Sequence, residues 1–268
     1  MGDINLLVFF TAIFGLCVGS FINVIVFRIP KKISIIFPRS FCFKCKTSIP
    51  FYRNIPILTY CLQSGKCHKC KQSISIIYPL VELFTCLIYV LFFMHGFNNF
   101  ELIESIFSFF IITLLIPMCL IDMKYLYFPQ GMLFFSIFIG ILYAFSTYWF
   151  DNNFEAFFGI FYGIAFLIII YYVTKFILIK RKNKSPMGFG DILLIIPLGA
   201  WLGPINIILC LFLASFVALL SWVTLWILFN FGLDRRMPFG PYLFFAAIIL
   251  KITNLQQVLF VLVSQIKS

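Results

Sequence analysis

Ile111-Ile112-Thr113-Leu114-Leu115-Ile116-Pro117-Met118-Cys119-Leu120-Ile121-Asp122 (residues 111–122) is an uncharged, mostly apolar run closed by a carboxylate. Gly188-Phe189-Gly190-Asp191-Ile192-Leu193-Leu194 (residues 188–194) is a carboxylate opening another such run. Only nine of 268 residues are acidic, so an aspartate at the margin of hydrocarbon is costly and marks a functional position. About 20 apolar residues cross the roughly 30 Å hydrocarbon core of a bilayer. Runs of this kind recur at 4–27, 79–95, 104–121, 131–149, 156–178, 191–203, 205–230 and 240–250. The sixth is short, and Lys251-Ile252-Thr253-Asn254 interrupts the last before a further apolar stretch. Lipid admits only helices or closed barrels, and these runs lack the two-residue alternation of barrel strands. The expected fold is therefore an all-α polytopic membrane protein with about eight transmembrane helices.

Composition and charge narrow the setting. A chain that is 63% hydrophobic, with 38 Phe and 11% charged residues, is not an ordinary soluble domain. The first run has no basic stretch before it and no small-residue cleavage site, so it reads as a span and not as a signal peptide. Ten Lys/Arg and no acid lie between Arg28 and Lys71. In the eight-span arrangement, eighteen of the twenty basic residues fall on one side, with Asp3, Glu101, Glu104, Asp151 and Glu155 opposite. The positive-inside rule then puts the N-terminus outside and the loop in the cytoplasm. The net charge of +11 is accounted for by this topology and by anionic membrane lipid, without a nucleic-acid partner.

Three parts follow: a first transmembrane helix over 1–27, a cytoplasmic loop over 28–78, and a membrane helical bundle over 79–268. No internal repeat or low-complexity linker stands out. Gly159 and Gly163, Gly199 and Gly203, and Ala214 and Ser215 suit close helix packing. Four of the nine cysteines form two knuckles, Cys42-Phe43-Lys44-Cys45 and Cys67-His68-Lys69-Cys70. Each places two thiolates on one turn, and two such turns complete a tetrahedron for structural zinc. Lys44, Lys46, Lys69 and Lys71 favour the thiolates, and a reducing cytosol disfavours disulfides. His68 reads as a loop residue, and Cys17, Cys61, Cys86, Cys119 and Cys210 as small buried hydrophobes. Arg28 reads as an interfacial anchor.

The topology puts Asp122 at the end of the third span and Asp191 at the start of the sixth, at the same membrane depth. If they meet, two carboxylates share a proton and activate water, the chemistry of an aspartic protease. Such a pair titrates as a unit. Gly188 and Gly190 support the motif by letting the chain turn closely into the helix. The bland alternatives are an Asp122–Lys124 pair and a helix cap at Asp191. The functional rivals are a proton-coupled transporter and a membrane assembly factor whose loop docks a partner.

Taken in order, the motifs resemble the type IV prepilin leader peptidases. The similar segments are Gly19-Ser20-Phe21-Ile22-Asn23-Val24 with Arg28 and Pro30, the two cysteine pairs with Asn54-Ile55-Pro56 between them, and Tyr78-Pro79-Leu80-Val81-Glu82. Ile121-Asp122, Gly188-Phe189-Gly190-Asp191 and Pro238-Phe239-Gly240-Pro241 complete the set. The resemblance implies an enzyme that removes the basic leader of prepilins or pseudopilins at the cytoplasmic face of the inner membrane. It further implies N-methylation of the new N-terminal residue, usually Phe, by S-adenosylmethionine. Asp122 and Asp191 become the catalytic pair, in a protein that serves type IV pili or type II secretion. One departure stands out: Phe128-Pro129-Gln130 occupies the place of a Leu-Pro-Asp, so an auxiliary carboxylate is absent. No glycine-rich fingerprint marks a cofactor site; Glu82 is a candidate for it, or for an ion pair within the loop.

Overall fold

The computed structural model describes residues 2–99, 102–177, 188–229 and 237–253. The described residues form helices and loops, with only two isolated antiparallel bridges and no strand. The helices are α1 (Gly2–Arg28), α2 (Leu58–Leu62), α3 (Ile77–Asn99), α4 (Leu102–Tyr125), α5 (Gln130–Asp151), α6 (Glu155–Ile177), α7 (Phe189–Phe229) and α8 (Gly240–Thr253). Six of them (α1, α3, α4, α5, α6 and α7) are long and apolar enough to cross a membrane. Their outward faces carry Phe9, Phe14, Phe134, Phe161 and Phe212, all exposed. In lipid such faces need no protein cover, which is why these helices are hydrophobic nearly all round.

Two compact units divide the chain, residues 1–109 and 110–268, with α4 running from one into the other. In the first, α1 lies against α3 at two glycines. A Cβ on Gly15 would stand 2.8 Å from the Cys86 Cα, and one on Gly19 2.7 Å from the Glu82 Cα, so only glycine permits this approach. Arg28 differs from the interfacial anchor expected of it. It is buried, and its guanidinium donates to the carbonyls of Ser34 (2.8 Å), Pro38 (2.7 Å) and Arg39 (3.4 Å), fastening the loop after α1. The charge is repaid by carbonyl oxygens because no carboxylate is nearby in sequence.

In the second unit, the predicted runs 191–203 and 205–230 are two arms of α7, which meet at Gly203 (φ 79°, ψ 178°), a conformation open essentially only to glycine. A Cβ on Gly163 of α6 would lie 2.5 Å from Ile195 Cγ2 and 3.0 Å from Ile207 Cγ1. Twelve residues of straight helix would hold those side chains about 18 Å apart, so the arms fold back on one another. Both ends of α7 therefore return to one side, and α8 begins where Asp191 does. The glycine pairs divide as the small-residue reading expects: Gly159 faces Gly199 across α6 and α7, and Gly140 faces Pro197 across α5 and α7. Ala214 is buried, but Ser215 is on the exposed face. Residues 254–268 and the basic positions Lys180, Arg181, Lys182, Lys184, Arg235 and Arg236 lie outside the described residues.

Candidate active site and metal loop

Asp122 is the last buried residue of α4, one residue beyond the fully buried Ile121. Its Oδ2 accepts the Gly240 N–H at 3.0 Å, and the Cys119 thiol donates to the Gly240 carbonyl at 3.5 Å. The first residue of α8 is thus gripped by the final turn of α4 through both its backbone groups. Asp191 is the third residue of α7, near enough to Asp122 for the two carboxylates to interact electrostatically. Residues 69 positions apart in sequence are brought to one site.

Neither bland alternative is what the structure shows. Lys124 is exposed with its Nζ over the Tyr125 ring at 5.4 Å, away from the buried Asp122 carboxylate. Asp191 lies within the first turn, its N–H donating to the Gly188 carbonyl at 3.1 Å, so it is not the cap.

Glycines make room for both acids. A Cβ on Gly188 would stand 2.9 Å from Asp191 Oδ2, and one on Gly240 2.9 Å from Asp122 Oδ2. Between them sits Phe128, which sequence reasoning left without a role. Its Cδ2 would be 2.8 Å from a Cβ on Gly190, and its Cζ 2.8 Å from a Cβ on Gly240. The ring is a wedge that touches the starts of α7 and α8 while joining α4 to α5. The one available signal was its place immediately before the helix-starting pair Pro129-Gln130. Gln130 itself is exposed.

The loop in the first unit folds as two copies of one turn, 25 residues apart. Cys42 N–H donates to the Thr47 carbonyl and Cys67 N–H to the Gln72 carbonyl; Lys46 N–H donates to Cys42 and Lys71 N–H to Cys67. Lys46 and Lys71 share φ 57°, and the bridges Phe41–Ser48 and Lys66–Ser73 close both turns. This overturns the expectation of no repeat: Cys-x-Lys-Cys-Lys-x-Ser-Ile stands at both 42–49 and 67–74. The four sulfurs lie within 4.8 Å of one another, with Cys42–Cys70 at 3.8 Å and Cys45–Cys67 at 4.0 Å. Ligands about 2.3 Å from a tetrahedral centre stand about 3.8 Å apart, whereas a disulfide needs about 2 Å. Cys42, Cys45, Cys67 and Cys70 are thus free thiols set as a metal site.

Their electrostatics agree. The Thr47 hydroxyl and backbone hold the Cys45 thiol down to about 6. The Cys70 and Lys69 backbone lowers Cys67. The Gln72 amide favours the Cys70 thiolate too, but desolvation and the neighbouring sulfurs outweigh it and push that thiol up to about 11. Four thiolates this close cannot all ionise without a cation. Of the remaining cysteines, Cys119 and Cys210 are buried as expected, but Cys17 and Cys61 are exposed and Cys86 half-buried.

Glu82 is buried, and its Oε2 accepts the Ile57 N–H at 2.7 Å. Among the described residues no Lys or Arg pairs with it, so the loop ion pair is not formed. Asn54-Ile55-Pro56, whose role was open, leads into this contact.

Apolar helices, two of which bring aspartates together in the second unit, and a four-thiol loop in the first define a multi-pass membrane protein with a carboxylate site. The model of the Bacterial Peptidase A24 N-terminal domain matches residues 13–96, and that of the Type IV leader peptidase family matches residues 109–223. The chain is 30% identical over 261 residues to the prepilin leader peptidase/N-methyltransferase of Neisseria gonorrhoeae, covering 87% of this chain and 85% of that protein. It is also 30% identical over 254 residues to the protein of that name from Pseudomonas putida, covering 86% and 85%. For the Myxococcus xanthus protein the match is 32% over 193 residues, covering 72% of this chain and 55% of that protein. The chain belongs to the type IV leader peptidase family. No solved structure matches it.

Proposed function

We propose that this chain removes the basic leader of prepilins or pseudopilins and methylates the amine so released. The observation that carries the peptidase half is the convergence of Asp122 and Asp191 at the adjoining ends of α4 and α7. One carboxylate takes a proton from water as it attacks the scissile carbonyl; the other, protonated, donates to the carbonyl oxygen. The Gly240 N–H fixes one oxygen of Asp122, which orients the carboxyl for that work. With Gln130 in place of an acid, Asp122 is the only carboxylate of the α4–α5 junction. The transporter reading gains no observation from the fold or from the relatives.

Zinc is the metal that four thiolates at tetrahedral spacing fit, and a Cys₄ set leaves no open position for water, so its role is structural. S-adenosylmethionine, when bound, supplies an electrophilic methyl group. By the charge asymmetry, the N-terminus is outside, the loop cytoplasmic and its lysines against anionic lipid of the inner membrane.

The test is incubation of the purified protein with a prepilin, followed by mass spectrometry of the new N-terminus. The expected product lacks its leader and carries one methyl group. Asp122→Asn and Asp191→Asn, which accumulate in the membrane, are expected to leave the precursor intact. Full cleavage by either would end the paired-carboxylate mechanism.

A further inference from the structure

The geometry points to the cavity of the first unit, enclosed by α1, α3 and the metal loop, as the site that binds S-adenosylmethionine, with Glu82 meeting its cationic end. This deepens the methyltransferase half of the reading above and rests on it. The cavity measures about 710 Å³, within the roughly 300–1,000 Å³ typical of small-molecule sites. Its lining sets aromatic walls (Phe27, Tyr60, Tyr78) among many polar groups, Asn23, Arg53 and Glu82 included, a combination that suits an adenosine with a charged tail.

Glu82 decides the charge of the ligand. It is the only acid between Asp3 and Glu101, and it is buried. A buried carboxylate without a cationic partner is costly. Among the described residues none of the cavity's Lys or Arg side chains pairs with Glu82: Arg28 is spent on three loop carbonyls, Lys44 Nζ donates to Gln72 Oε1 at 2.9 Å, and the Arg53 guanidinium lies 5.8 Å from the Tyr52 ring centre. One oxygen of Glu82 is held by the Ile57 N–H, and Ile57 itself has φ 57° and ψ −52°, a strained setting for a β-branched residue. Strain of that kind persists where surrounding structure fixes it and gathers at ligand sites. An anionic ligand such as inorganic phosphate would set like charge against Glu82. The sulfonium, the one charge that S-adenosylhomocysteine does not carry, supplies what the carboxylate lacks. Arg53 then has a partner in the ligand's own carboxylate.

The experiment uses the full chain, purified in detergent, with calorimetric titration of S-adenosylmethionine and of S-adenosylhomocysteine, whose sulfur is neutral. Glu82→Gln keeps an acceptor for the Ile57 N–H and removes only the charge. It is expected to weaken S-adenosylmethionine by about tenfold or more, as loss of a charge-assisted contact does, and to weaken S-adenosylhomocysteine less. Ultraviolet cross-linking of labelled S-adenosylmethionine to the unaltered protein should mark peptides within residues 20–82, a readout that does not depend on the variant folding. Label confined to residues 110–253 would overturn the cavity assignment, and equal losses for both ligands would overturn the contact between Glu82 and the sulfonium, each while leaving methylation standing. An unaltered protein that cleaves prepilin but binds neither ligand would remove the methyltransferase reading itself.

Discussion

Phe128 and the two glycines beside it set the tolerance of the carboxylate site. Gly190 is beside Asp191 in sequence, and Gly240 holds Asp122; the one ring touches both. A methyl group on Gly190 must move that ring or the start of α7. Misplacement of about 1 Å can cost about 100-fold in rate, so Gly190→Ala is expected to slow leader cleavage by about that factor. Trimming the ring should restore room: Gly190→Ala with Phe128→Leu is expected to recover most of the loss in a cleavage time course. Additive losses in the double variant would show that the ring is not what the glycine makes way for. The acids of this site were legible in sequence because carboxylates are rare here. Phe128 was not, being one of 38 phenylalanines, and neither was the Gly240 N–H, since a backbone donor 118 residues away leaves no mark of its own.

At the scale of the element, the two cysteine turns repeat so closely that one metal can be held from both sides equally. The spacing announced the ligands, while the copied Lys-x-Ser-Ile tails passed unnoticed because their role is backbone closure (Cys42 N–H to Thr47, Cys67 N–H to Gln72) and no side chain advertises it. Arg28 was misread for a related reason: its partners are carbonyls, which every sequence has. Metal binding should depend on pH with a definite sign. Cys70, at about 11, is protonated at neutral pH and must release its proton to bind, whereas Cys45, at about 6, is already mostly ionised. Apparent affinity is therefore expected to rise by at least about tenfold per pH unit between about pH 7 and 9. Competition against a chromophoric chelator measures it, and one zinc per chain is the expected stoichiometry. A flat profile would mean that the Cys70 proton is not displaced.

Considered as a whole molecule, the α7 reversal is what makes the arrangement possible: by returning to its starting side, the helix lets Asp191, Asp122 and Gly240 share one end of the second unit. This stretch reads in the sequence as two runs, 191–203 and 205–230, whereas the fold-back shows only in the contacts of Gly163 with Ile195 and Ile207. The first arm has a mechanical corollary. From Asp191 to Gly203 it rises about 18 Å, short of the roughly 30 Å of hydrocarbon, yet none of its residues is exposed. Neighbouring helices of the second unit, and not lipid, surround it, so its shortness imposes no misfit on the bilayer. Leader removal should accordingly keep the same initial rate in vesicles of short-chain and of long-chain phosphatidylcholine at equal enzyme density; a strong dependence on lipid length would mean that lipid reaches that arm. Enclosed in this way, Asp191 rides on a strut insulated from changes in membrane thickness.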